Sequence, residues 1–170
     1  MAVIVETGAG VENANSYQAR ADYIAYALTL GITIADDETA DNQLVKAAQY
    51  IDSKESTLKG YKVEREQAMG YPRFNLWIDG ESWASDEVPL QAVRAQREYA
   101  LDVNSGVDLF NRPQNPELIT KSERVEGAVD VEYAVPDTVA QNTSRTSMGD
   151  AYLSALVENA GQGSIPLVRV

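Results

Sequence analysis

The sequence predicts a mainly α fold: an antiparallel helical bundle of about four helices with a small β-hairpin and extended N- and C-terminal segments. Three observations predict it. Apolar residues recur at helical spacing in four stretches, Gly and Pro punctuate the joints between them, and one later stretch alternates apolar with polar residues as a strand does. A chain of 170 residues that is 44% hydrophobic can bury one sizeable core but is short for two ordinary enzyme domains. The expected organisation is a single domain over residues 1–160, with the hairpin inserted at about 119–133, and a flexible tail over 161–170.

The elements follow in order. Val3-Ile4-Val5 is an extended start, and Asn15-Ser16 offers a cap for a first helix in which Tyr17, Ala21, Ile24 and Leu28 share a stripe until Gly31 stops it. Tyr23, Tyr26 and Leu30 lie toward another side, which predicts neighbours on more than one flank. Asp36-Asp37-Glu38 then opens a second helix, where carboxylates oppose the positive end of the macrodipole. Its stripe is Ala40, Leu44, Ala47, Ala48 and Ile51, opposite Asn42, Lys46, Gln49 and Ser53.

From Ser56 to Glu87 the period fades, and Gly60, Gly70, Pro72 and Gly80 mark a loop-rich stretch. It also carries Tyr61, Tyr71, Phe74, Trp77 and Trp83, too many aromatics for a disordered linker, so an ordered loop packed on the helices is expected, with Asp79-Gly80 as a turn. Val88-Pro89 opens a third helix running to about Ser105, with Pro in the first turn and Asp86 and Glu87 as capping charge. Gln91, Arg94, Glu98, Asp102 and Ser105 form a narrow polar stripe, while apolar residues fill most of the remaining circumference, which marks a central helix. Residues 119–125, Glu126-Gly127 and residues 128–133, with Val129, Val131 and Tyr133 alternating, predict the hairpin. A polar loop at 141–144 leads to a short helix over 151–160 with Leu153, Leu156, Val157 and Ala160 on one face. After the joint Gly161-Gln162-Gly163-Ser164 comes an apolar, basic strip: Ile165, Pro166, Leu167, Val168, Arg169 and Val170.

Composition excludes much chemistry. The chain has no Cys and no His, so Ser-His-Asp and Cys-His nucleophile systems, zinc sites and disulfides are ruled out. No leader peptide or membrane-length apolar run is present, which predicts a cytosol-like location with no membrane partner. A net charge of -12, from 26 acidic and 14 basic residues, repels a phosphate backbone at long range, and the basic residues are dense only from Lys54 to Arg65. Gly8-Ala9-Gly10 after a strand-like start partly matches a dinucleotide turn, but Asn13 stands at the third glycine position, so the expected reading is a glycine turn. Adjacent carboxylates such as Asp79 with Glu81 select no acid–base pair, and the calcium-loop pattern of alternating Asp and Asn before a Gly is not present. No catalytic, cofactor or metal residue is therefore expected, and the chain is read as not an enzyme.

The order of these landmarks resembles that of the tailed-phage head–tail adaptor (head completion) family, which also carries the label DnaT-like single-stranded DNA binding protein. The matching stretches are Asn15-Ser16-Tyr17, Tyr50-Ile51-Asp52, Gln67-Ala68-Met69-Gly70-Tyr71-Pro72-Arg73, and Val88-Pro89 before Ala95-Gln96-Arg97-Glu98-Tyr99-Ala100. Where the family often has Trp, this chain has Tyr71, which keeps an aromatic before Pro-Arg.

The resemblance implies a virion protein, assembled in the host cytoplasm and located at the head–tail junction, that forms a ring, usually dodecameric, beneath the portal and offers a platform to the tail. DNA would pass through the ring without specific binding, which an acidic wall suits. On this reading the strip Ile165, Pro166, Leu167, Val168, Arg169 and Val170 docks on the portal or another partner. Contacts between subunits or with the tail fall to Tyr71, Arg73, Phe74, Trp77, Trp83, Arg94, Arg97, Val129, Val131 and Tyr133. The alternative is a single-stranded DNA-binding module, with bases on Trp77 and Trp83 and phosphates on Lys54, Lys59, Lys62 and Arg65.

Overall fold

The computed structural model of the chain describes residues 2–110, 122–125, 129–132 and 147–158. The chain divides into two compact units, one formed by Met1–Leu109 with Ser147–Val170 and the other by Phe110–Thr146.

Among the described residues the first unit has four α-helices: α1 (Arg20–Thr29), α2 (Asp37–Asp52), α3 (Leu90–Asn104) and α4 (Met148–Ser154). Both α2 and α4 pack on α3, and α1 packs on α2. The mainly α reading holds, and α3 is the central helix the sequence predicts.

Helix α2 buries the predicted stripe of Ala40, Leu44, Ala47, Ala48 and Ile51, and Asn42, Lys46 and Gln49 face outward. Its start is more specific than a charge–dipole effect: the Asp36 carboxylate accepts the Thr39 N–H at 2.6 Å, which caps the helix and lowers the pKa of Asp36. Helix α3 begins one residue later than predicted, with Pro89 as its N-cap and no capping bond from a side chain, so Asp86 and Glu87 are not its caps. It buries Ala92, Ala95, Gln96, Tyr99 and Ala100 and leaves Leu90 exposed.

Helix α1 departs furthest from expectation. Ser16 does not cap it; the Ser16 hydroxyl donates to the carbonyl of Gln18 at 2.7 Å, and the helix begins only at Arg20, after Ala19. The shift turns the helix. Tyr23 and Ala27 face the core, whereas Leu28 of the predicted stripe is 58% exposed. Tyr17 stays buried, but in a bend before the helix.

The last helix also begins earlier than its apolar stripe suggests. Ser147 and Asp150 form a reciprocal capping box, and the helix ends at Ser154, with Leu153 and Leu156 buried. Gly149 lets it approach α3, since a Cβ there would lie 2.6 Å from the Tyr99 ring.

The aromatic loop between α2 and α3 is ordered, as expected, and contains two minimal sheets. Strand β1 (Tyr61–Lys62) pairs antiparallel with β2 (Arg73–Phe74), and β3 (Trp77–Ile78) with β4 (Glu81–Ser82). The turn between the last two is Asp79-Gly80, both with positive φ, the geometry of a tight hairpin turn. In the second unit, β5 (Ser122–Val125) pairs antiparallel with β6 (Val129–Glu132), which gives the predicted hairpin with Val125 opposite Val129. The predicted loop at 141–144 and the strip at 165–170 lie outside the described residues.

Near the N-terminus, the buried Glu6 carboxylate accepts the N–H groups of Gly8 at 2.8 Å, Gly10 at 3.0 Å and Val11 at 2.8 Å. The glycine turn thus folds around the chain's own anion. The donors that a nucleotide phosphate would need are already engaged, which is the physical reason the partial dinucleotide match carries no such site.

Candidate functional site

The loop between α2 and β4 is held from beneath by buried polar groups and presents aromatic side chains outward. Asp52, at the end of α2, accepts the Gly70 N–H at 3.0 Å and the Tyr17 hydroxyl on the same oxygen. Burial raises the pKa of Asp52, opposed by those two hydrogen bonds. Gln67 donates to the carbonyls of Met69 at 2.8 Å and Pro72 at 3.0 Å, across the cis Tyr71-Pro72 bond, and accepts the Glu64 N–H at 3.1 Å.

Arg73 supplies the third fixing point. Its guanidinium is buried and donates to the carbonyls of Lys59 at 2.9 Å, Gly60 at 2.8 Å, and Leu58 and Gly70 at 3.3 Å each. These bonds pin β1 and the preceding turn to the Gly70 end of the loop. Tyr71 is wholly buried and meets Tyr17 edge to face at 5.9 Å. Tyr71 and Arg73, two of the residues proposed for a subunit or tail contact, thus have their side chains buried within the subunit that carries them.

Strand alternation turns the next residue outward. Phe74 is exposed opposite Tyr61 on β1, with ring centroids 5.5 Å apart, and Trp77, three residues on, is 54% exposed. Val63 adds a further exposed apolar group after β1. Sequence reading proposed Phe74 and Trp77 but missed Tyr61 and Val63, because a two-residue strand is too short to show alternation. Trp83 is only half-buried, and its indole N–H is enclosed without an acceptor among the described residues.

On α3, Arg97 stacks on the Tyr26 ring at 3.9 Å and Arg94 lies over the Tyr152 ring at 5.8 Å, so both guanidiniums are engaged with the subunit's own aromatics while half-exposed. Val129 and Val131 lie on β6, while Tyr133 and Ile165, Pro166, Leu167, Val168, Arg169 and Val170 are outside the described residues.

The residues proposed for phosphates are largely engaged at home. Lys54 sits over the Tyr50 ring at 4.8 Å, Lys59 donates to the Ala155 carbonyl at 2.8 Å, and Lys62 pairs with Glu55 at 2.9 Å. Arg65 is exposed, between exposed Glu64 and Glu66. Arg65 is thus flanked in sequence by two carboxylates in the segment that follows β1. Among the described residues no group of His, Cys, Asp or Glu could hold a metal, and no helix is long and apolar enough to cross a membrane.

These features define a mainly helical domain whose most distinctive surface is a rigidly backed aromatic ridge. The chain belongs to the family described as "Putative DnaT-like ssDNA binding protein", whose model matches residues 1–170. No curated protein and no solved structure matches it.

Proposed function

We propose that the chain is a non-catalytic assembly subunit that works by docking proteins, as the head–tail adaptor reading holds: copies form a ring, usually a dodecamer, that meets a portal on one side and tail components on the other. The observation that carries this is the exposed Tyr61–Phe74 ring pair, with Trp77 exposed on the strand that follows. Exposed aromatics on a hydrogen-bonded backing are typical anchors of protein interfaces, and the engagement of Lys54, Lys59 and Lys62 within the subunit disfavours phosphate binding by them. Further uncovered apolar side chains at Leu28, Leu90 and Met148 suit a subunit that is covered by neighbours when assembled. The net charge of -12 suits a channel through which DNA passes without being gripped.

The family match favours a second reading, single-stranded DNA binding, and on its own it weighs more for that reading than for an adaptor. Bases would stack on Tyr61, Phe74 and Trp77 rather than on half-buried Trp83, with Arg65 as the nearest exposed cation in the sequence. One pair of measurements separates the two. Labelled oligonucleotides are titrated at low salt, and the purified protein is imaged by electron microscopy alone and with portal complexes. The adaptor reading expects rings or portal-bound density and no oligonucleotide binding. Salt-sensitive, saturable binding to single strands, with no ring and no portal complex, would replace it by the second reading.

A further inference from the structure

Helix α3 carries two guanidiniums one turn apart. Arg94 and Arg97 are separated by three residues, a spacing that sets their Cβ atoms about 5–6 Å from each other. A tyrosine from a different helix lies against each: Tyr26 of α1 at 3.9 Å from Arg97, and Tyr152 of α4 at 5.8 Å from Arg94. Stacking takes one face of a guanidinium, fixes its plane, and leaves its N–H edge for an acceptor.

Their own chain does not meet that demand among the described residues. Arg94 has no ion pair there, and Arg97 Nε is enclosed without a hydrogen-bond acceptor. The carboxylate beside them is Glu98, whose Oε1 lies 3.9 Å from Arg97 Nε and accepts the Tyr26 hydroxyl at 2.6 Å. Two guanidiniums against one carboxylate leave the patch positive. Both arginines are half-buried, with the Arg97 side chain 23% exposed, so a second molecule can reach them.

We propose that Arg94 and Arg97 form the basic half of a contact between copies of this chain and receive carboxylates from a different face of the neighbouring copy. This rests on the assembly-subunit reading and gives it a chemistry. Two copies that each carry a net charge of -12 repel, so a contact between them needs opposite charges paired at the join. The neighbour has 26 acidic residues with which to supply them. A twofold contact centred on the patch would set arginines against arginines, whereas a head-to-tail contact brings an acidic face to them, and head-to-tail contacts close into rings. A nucleic-acid strand is a poorer fit, because it needs a track of cations. Helix α4 has no basic residue, and Arg20, the one cation of α1, is paired with Asp37 and Asp41.

The test is zero-length carbodiimide cross-linking of full-length Arg94→Lys with Arg97→Lys, which keeps both charges and gives each position an amine. Isotope-labelled and unlabelled protein are mixed, with and without portal complexes, so that links between copies are told from links within one. The expected products join position 94 or 97 of one copy to an Asp or Glu outside α3 of another. In parallel, Arg94→Glu with Arg97→Glu should weaken self-association in sedimentation about thirtyfold while circular dichroism stays that of the parent. Amines linked only within one copy, as to Glu98, would overturn the proposal. So would assembly of the Glu variant equal to that of the parent; in that case the assembly reading stands and only the assignment to these arginines falls. If the parent forms no assembly alone or with portal complexes, the assembly reading itself fails and the proposal with it. Loss of oligonucleotide binding in the Glu variant, without links between copies, would make a phosphate strand the occupant instead.

Discussion

Tyr17 and Gly70 meet on one oxygen of Asp52, the phenol and the backbone N–H both donating to it, and this junction ties the segment before α1 to the loop that carries the ridge. Burial raises the pKa of Asp52 and, together with the neighbouring Asp52 charge, that of Tyr17. An acid whose pKa is raised on folding adds stability fully present below its unfolded value, and this is lost as pH rises through the folded value. Asp52→Asn keeps an oxygen for the same two donors but cannot ionise. Relative to the parent, the variant should gain stability as pH rises from the ordinary carboxylate range to the raised value, and the difference should then level off. Urea unfolding across that window tests this; a difference moving the other way would mean that Asp52 is stabilised as a carboxylate.

Gln96 is the polar keystone of the core. Fully buried on α3, it accepts the Tyr17 N–H at 2.9 Å and donates to Ser16 Oγ at 2.8 Å and the Leu44 carbonyl at 2.9 Å. Gln96→Leu fills a similar volume but leaves three groups without their partner, at a cost of about 3 kcal/mol. The denaturation midpoint should fall accordingly; a loss below about 0.5 kcal/mol would mean that the groups find other partners.

The four phenols of Tyr17, Tyr23, Tyr71 and Tyr99 all have pKa values raised above the ordinary range, chiefly by burial. The folded state keeps these protons longer than the unfolded chain, so their contribution is complete below the unfolded value of about 10 and declines above it. Alkaline titration should show a tyrosinate absorbance step that coincides with loss of helical circular dichroism. Ionisation of all tyrosines before any unfolding would contradict the burial assigned to them.

Legibility in the sequence followed the length of the pattern. The α2 stripe was readable because five apolar residues repeat over a sixteen-residue helix, and α3 because Pro89 and Gly106 bracket it. The α1 stripe was misread because Ala21, Ile24 and Leu28 carry the helical period as well as Tyr23 and Ala27 do, and only packing on α2 decides which set is covered. The ridge was half-legible. Aromatic density marked the loop, but the orientations of Tyr71 and Phe74 go with Arg73 reaching four carbonyls, which has no periodic signature. Gln96 was read only as part of a family stretch, since a lone amide in a helix does not announce that it is buried.

Arg73 should not tolerate Lys. A Lys ammonium is a compact donor that cannot match a planar guanidinium spread over the carbonyls of Leu58, Lys59, Gly60 and Gly70. Arg73→Lys should cost about 2 kcal/mol and raise hydrogen exchange in residues 59–74 more than in α2. Uniform exchange throughout the first unit would mean that Arg73 supports the whole core rather than the ridge.

Phe74 and Trp77 give the opposite expectation, because exposed side chains contribute little to folding. Phe74→Ala with Trp77→Ala should leave the melting temperature within a few degrees of the parent, while binding through the ridge, to a portal complex or to a single strand, weakens about thirtyfold, the loss typical of a 2 kcal/mol anchor. Stability is measured first, so that lost binding cannot be attributed to lost fold. Unchanged stability with unchanged binding would leave the ridge without the role assigned to it and turn attention to the other uncovered apolar residues, Leu28 on α1 and Leu90 on α3.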